Sequence, residues 1–121
     1  VAVSDVVAVN LDFMGGHDRS GIYNLGTGRA QTFNEVAVAT INACRGAAGE
    51  APMSLVDLVR ARIIEYDEFP AALVGKYQSY TQADLSALRK AGYKSPMKTV
   101  DEGVAAYVEW MMAREAPPAV A

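Results

Sequence analysis

Cysteine and histidine are almost absent from this chain, with Cys44 and His17 the only residues of their kinds among its 121. One of each excludes an intrachain disulfide framework and a Cys/His metal site. With that histidine in a polar loop, a Ser-His-Asp set cannot be assembled and Cys44 has no base to activate it. A reducing, cytoplasmic compartment is the expectation. Positive charge is also in short supply: 11 Lys and Arg stand against 14 Asp and Glu, for a formal net charge of -3 and a pI near 5.0. The basic stripe of a nucleic-acid binder is missing, so nucleic acid is not an expected partner. Long apolar runs are missing as well, and no basic region precedes an apolar stretch, which argues against a membrane partner or a signal peptide. The chain begins at Val1, and Val1-Ala2-Val3 reads as the tail of a strand whose earlier residues are absent. The expectation is a segment cut from a larger protein.

What is present is the composition of one globular domain or a piece of one, 51% hydrophobic and 21% charged. Its organising stretch is Gly21-Ile22-Tyr23-Asn24-Leu25-Gly26-Thr27-Gly28, which reads as a short strand running into a glycine turn. Ahead of it, Ser4 and Asp5 predict the start of a helix that runs to about Met14, with Val6, Val9, Asn10 and Phe13 at helical spacing. Behind it, Thr32 and Glu35 stand in capping-box spacing and open a second helix, whose one-sided set Val36, Ala37, Thr40, Ile41 and Cys44 makes Cys44 a small buried hydrophobe. Ser54 and Asp57 cap a short helix through about Arg60. Ile63 to Tyr66 reads as a second strand, ended by Phe69-Pro70. Thr81 and Asp84 open a helix through Leu85 and Leu88 to Ala91, which Gly92 stops. Thr99 and Glu102 open the last, with Val100, Val104, Tyr107, Val108 and Met111 as its buried stripe. Residues 116–121 are expected to fray.

Few of these residues offer chemistry. The glycine turn has only Gly26 and Gly28 where a dinucleotide fingerprint needs three glycines, and position 31 is Gln, so a plain strand-to-helix turn is the favoured reading. The acidic pairs Asp67-Glu68 and Asp101-Glu102 fit solvated and capping roles, and Trp110, Met111 and Met112 fit core or interface. The segment Gly75-Lys76-Tyr77-Gln78-Ser79-Tyr80 is different, because it gathers a cation, two phenols, an amide and a hydroxyl in an irregular loop. Such loops line ligand pockets, where phenol and amide orient a polar ligand and the ring covers its apolar face; a surface turn with packed tyrosines is the alternative.

The series Val1 to Val7, Gly21 to Ala30, Lys76-Tyr77-Gln78, Tyr80-Thr81-Gln82-Ala83-Asp84-Leu85, Ala91-Gly92-Tyr93, Glu102-Gly103-Val104 and Trp110 resembles the C-terminal portion of the extended short-chain dehydrogenase/reductases. Asn-Leu-Gly-Thr-Gly is shared widely in that superfamily. Gly-Arg-Ala after it and Lys-Tyr-Gln-x-Tyr-Thr-Gln-Ala-Asp-Leu are similar to the ADP-L-glycero-D-manno-heptose 6-epimerases. The resemblance implies an enzyme in which NADP, held by an N-terminal Rossmann domain, oxidises ADP-heptose at C6 and returns the hydride to the opposite face, for lipopolysaccharide inner-core synthesis. It implies a homo-oligomer in the full-length enzyme. It also implies that the glycine fingerprint, the Tyr-x-x-x-Lys pair and a further catalytic lysine all lie outside this chain, which would hold no catalytic or cofactor-binding residue and no metal site. Tyr77 matches a family tyrosine that contacts the ADP-sugar, and Lys76 and Gln78 join it by adjacency. Two features depart from the pattern: the segment 46–61 is longer than in some family members, and Ala2 stands in place of an aromatic residue.

The expected architecture is therefore α/β. Residues 1–115 would form a small substrate-binding lobe with two parallel strands, a short third near Ser79 left open, and about five helices. The readings kept beside it are a fragment of another nucleotide-sugar epimerase or dehydratase, and a stand-alone binding or interaction module without catalysis.

Overall fold

A computed structural model of the chain describes residues 1–15 and 19–115; His17 and the expected frayed tail at 116–121 lie outside the described residues. Among the described residues the regular structure is five α-helices, α1 (Val3–Met14), α2 (Phe33–Ala47), α3 (Leu55–Arg60), α4 (Ser86–Lys90) and α5 (Val100–Glu115), with one 3-10 turn at Ala71–Leu73. No strand occurs among the described residues, so the α/β expectation with two parallel strands is overturned.

The reason lies in what each expected strand does with its groups. Residues 22–25 keep the side-chain alternation of a strand: Tyr23 and Leu25 pack inward, while Ile22 is 97% exposed. A strand is completed by a ladder partner, however, and none is supplied among the described residues. The second expected strand begins as the end of a helix. The amides of Ile63 and Ile64 both donate to the Leu58 carbonyl, at 2.9 and 3.2 Å, and Arg62 turns the chain at φ 55°. That closes α3 with a left-handed residue and uses the amides a ladder would need. The segment near Ser79 is likewise irregular.

Two packing centres hold the helices. In the first, Val9 of α1, Leu88 of α4, Tyr93 and Met97 are buried together, with Phe13, Tyr23, Leu25 and Leu85 packed around them. Phe13 meets Tyr23 edge to face at 5.0 Å. Arg19 fastens this centre from outside: it pairs with Asp12 at 3.0 Å, donates to the Ala91 carbonyl at 3.1 Å and lies over the Phe13 ring. In the second centre α2 packs on α5 and α3, burying Ala39, Val108 and Leu58. The α2 face that turns inward is thus the alanine face. At 100° per residue Cys44 stands about 140° round from Ala39, and it is exposed rather than buried as its spacing with Val36 had implied. Asn42 docks the 46–61 segment by pairing with both backbone groups of Met53, accepting at 2.9 Å and donating at 3.0 Å.

The helix starts follow their caps closely. Thr32 and Glu35 form a complete capping box, as do Thr99 and Glu102 at the head of α5, and Ser54 accepts from the Asp57 amide. At α1 the cap position is Ala2, and Ser4 inside the helix accepts instead from the Lys98 ammonium. At α4, Asp84 accepts from the Ser86 amide while Thr81 bonds to Gln78, so the helix starts later than the Thr81 signal implied. Gly92 ends it at φ 102°.

These caps carry a pH dependence. The Thr32 amide holds the Glu35 carboxyl below its ordinary range, the Thr99 amide does the same for Glu102, and the Ser86 amide for Asp84. A carboxyl whose folded pKa is lowered contributes its stability fully above the ordinary carboxylate range and loses it as pH falls through the lowered folded value. The thermal midpoint is therefore expected to hold between about pH 7 and 5 and to fall below about pH 4. The double variant E35Q/E102Q should start lower and fall less. Circular dichroism melts across that range check it, and an unaltered slope in the double variant would remove the caps as the cause.

Candidate functional site

The glycine turn is a seat for another segment. Gly26 is buried, and a Cβ built there would lie 2.9 Å from the Cβ of Ala83. Gly28 has φ 72°, and a Cβ there would lie 3.3 Å from Leu85. The two glycines thus let residues 83–85 lie directly on the turn. A dinucleotide pyrophosphate does not fit, because Ala83 and Leu85 occupy the space over the turn that the phosphates would need.

Beyond the turn, Thr27 locks the backbone with its hydroxyl, which accepts from the Arg29 amide at 3.1 Å and donates to the Arg29 carbonyl at 3.0 Å. The chain then enters α2, and the head of α2 forms one wall of a cleft of about 720 Å³. Gln31, Thr32 and Phe33 line that wall, and the segment 76–81 lines the other. The three residues singled out in the sequence, Lys76, Tyr77 and Gln78, are therefore all on this cleft. Tyr77 is 50% exposed and stands in an aromatic row, 6.4 Å from the Phe33 ring and 5.7 Å from the Phe69 ring. Gln78 accepts from the Thr81 hydroxyl at 3.0 Å, which ties the loop to itself. Lys76 enters none of the ion pairs found among the described residues.

The electrostatics of the two walls differ. The head of α2 offers amide donors, yet Glu35 already accepts from the Thr32 amide at 2.6 Å and from the Gln31 side chain at 3.4 Å. A second anion there would face that carboxylate. Negative charge is better received on the opposite wall, at Lys76. Among the described residues no carboxylate, histidine or cysteine lines the cleft. The arrangement can stack a planar ring on Tyr77 and Phe33, hydrogen-bond a polar group through amides and hydroxyls, and balance negative charge. These are the groups of a binding cleft.

Phe33 lines this cleft and Phe69 packs on its Tyr77, and neither stood out in the sequence as a site residue. Phe33 follows a cap and reads as the first apolar residue of a core face. As the first residue of α2, however, it remains 74% exposed and free to meet Tyr77. Phe69 reads as the end of a strand. The remaining candidates stay apart: Asp67 accepts from the Glu68 amide in an exposed stretch, Glu102 caps α5, and Trp110 lies between the Tyr107 ring and the Arg114 guanidinium on the exposed side of α5. Among the described residues no group of three or more His, Cys, Asp or Glu could hold a metal ion, and no helix is long and apolar enough to cross a membrane. No model of a known protein family matches the chain.

Proposed function

We propose that this chain is the ADP-sugar-binding part of an ADP-L-glycero-D-manno-heptose 6-epimerase that works in the cytoplasm on a precursor of the lipopolysaccharide inner core. The observation that carries the reading is a convergence. Two stretches of family resemblance more than forty residues apart, Asn24 to Ala30 with the α2 head it leads into and Lys76 to Leu85, meet in space. One is docked on the other, and together they bound the cleft that holds Tyr77.

Within the reading, Tyr77 and Phe33 take a planar ring, Gln78 and the hydroxyls orient polar groups, and Lys76 answers the diphosphate charge. Redox chemistry at C6 is the work of NADP in a Rossmann domain outside these residues. The outer side of α1 supports a covering partner of that kind. Val3, Val7, Leu11 and Met14 are all exposed along it while Val9 and Phe13 pack inward, and a helix apolar on both sides is one that other protein covers.

Tyr77→Phe in the full-length enzyme is expected to raise KM for ADP-heptose by about tenfold, the loss of one hydrogen bond, with NADP binding unchanged. Steady-state kinetics with a separate NADP titration check it, and unaltered KM and kcat would count against the assignment. The chain by itself should not bind NADP; binding there would overturn the division of labour. Preferential turnover of UDP-sugars by the full-length protein would redirect the reading to another nucleotide-sugar epimerase or dehydratase. Failure to bind any nucleotide-sugar would redirect it to a non-catalytic module.

A further inference from the structure

Tyr80 stands between two clefts. It lines the cleft of about 720 Å³ together with Lys76 and Tyr77, and on its other side it lines a second one of about 550 Å³ bounded by Gly28, Gln82, Ala83, Asp84 and Leu85. Its ring is largely exposed and its hydroxyl donates to Gln82. Gln82 in turn donates through its amide nitrogen to the carbonyl of Gly28, across 54 residues of chain.

We infer that Gln82 is a positioning residue, which fixes the Tyr80 ring as the wall shared by the two clefts and so sets the room available to a ligand ring beside Tyr77. The inference rests on the reading of this cleft as a nucleotide-sugar site. A primary amide has one donor end and one acceptor end. The Gly28 carbonyl can only accept, so the nitrogen must face it and Oε1 must face Tyr80. A flipped amide would set two oxygens against each other and leave the phenol pointing at NH₂.

The link is anchored at both ends. Gly28 presents its carbonyl from a left-handed conformation at φ 72°. Ala83 is seated on Gly26 directly after Gln82, and Leu85 on Gly28 two residues later. A side chain that is followed directly by a seated residue and whose two ends are both bonded holds its partner in one place. The segment 74–81 has no helix or strand of its own, so this is the fixed point from which its far end hangs. The glycine turn thereby acts on the ligand wall at one remove, through Gln82, without touching a ligand.

The test uses the 121-residue chain labelled with 3-fluorotyrosine, read by fluorine NMR, with Y80F and Y77F assigning the two resonances. In the wild type the Tyr80 resonance should stand away from the unfolded position. In Q82L it should collapse towards that position while the far-ultraviolet helix signal is retained. Q82E keeps an acceptor for the phenol but cannot donate to Gly28, and should behave as Q82L does. Gly26→Ala, which lifts Ala83 off its seat, should shift the same resonance with the amide still present. A wild-type Tyr80 resonance already at the unfolded position, or one unmoved in Q82L and Q82E, would overturn the inference.

Titration with ADP-glucose then separates this inference from the reading beneath it. If the wild type binds, Q82L should weaken binding about tenfold, and Y80F/Q82L should be no weaker than Q82L, because the phenol has already lost its partner. Wild-type binding that Q82L leaves unchanged would overturn the positioning role. No wild-type binding, with the resonance changes as expected, would remove the nucleotide-sugar reading and leave Gln82 as the residue that fixes Tyr80.

Discussion

Leu88→Ala is expected to lower the unfolding free energy by about 3 kcal/mol, while Ile22→Ala should leave it unchanged within about 0.5 kcal/mol. Both are large aliphatic residues, one in the expected first strand and one in the expected fourth helix. Leu88 is 0% exposed and sits among Val9, Tyr93 and Met97, drawn from two separate parts of the chain. Removing its isobutyl group loses the transfer free energy and leaves a hole that α1 and α4 cannot both close, since Arg19 holds their ends at a set distance. Ile22 has almost nothing to lose. Urea denaturation of the two variants, with m-values compared to confirm a common unfolded state, checks the contrast. A cost above about 1 kcal/mol at Ile22 would mean that its side chain is covered, as a paired strand would require.

The same pair shows how far the chain could be read in advance. Helix starts depend on groups three residues apart, so Thr32 with Glu35, Ser54 with Asp57 and Thr99 with Glu102 were legible one by one. So was the stop at Gly92. Strands depend on a partner that local pattern does not contain, and Tyr23 and Leu25 show the ambiguity: their alternation is satisfied by packing on α1 and α4 rather than by a ladder. Helix faces failed for a related reason. In α2 the larger residues Val36 and Ile41 suggested the buried side, but Ala39 lies where α2 and α5 close on one another, and small residues allow a close approach. The candidate site was half legible. The composition of 75–80 singled out the loop that lines the cleft, whereas Phe33 and Phe69 come to Tyr77 only through the fold.

Asp5→Ala should be the costliest polar substitution, about 2–4 kcal/mol, with Asp5→Asn costing about 1 kcal/mol or less. Asp5 is 6% exposed, and its carboxylate accepts from the Lys98 amide at 2.8 Å and meets the Lys98 ammonium at 3.3 Å. These two contacts are unequal. The ammonium is 40% exposed, so water screens the ion pair and its share is small. The amide donates to Asp5 alone, and the acceptors beside it are taken by the next two amides, Glu102 by Thr99 and Gln31 by Val100 at 3.1 Å. Three consecutive donors at the head of α5 are thus satisfied from three places: α1, α5 itself and the approach to α2. Asparagine keeps an acceptor for the Lys98 amide and loses only the screened pair. Alanine leaves the amide unpartnered and leaves the Ser4–Lys98 bond to tie α1 to the head of α5. Equal losses in the two variants, measured by urea denaturation, would show that charge dominates after all. A further consequence reaches the cleft, because Gln31 serves both as acceptor for Val100 and as part of the cleft wall. Loosening the α5 head in Asp5→Ala should therefore disturb the Phe33 side of the site, and the fluorine resonance of Tyr77 should shift in Asp5→Ala and stay in place in Asp5→Asn.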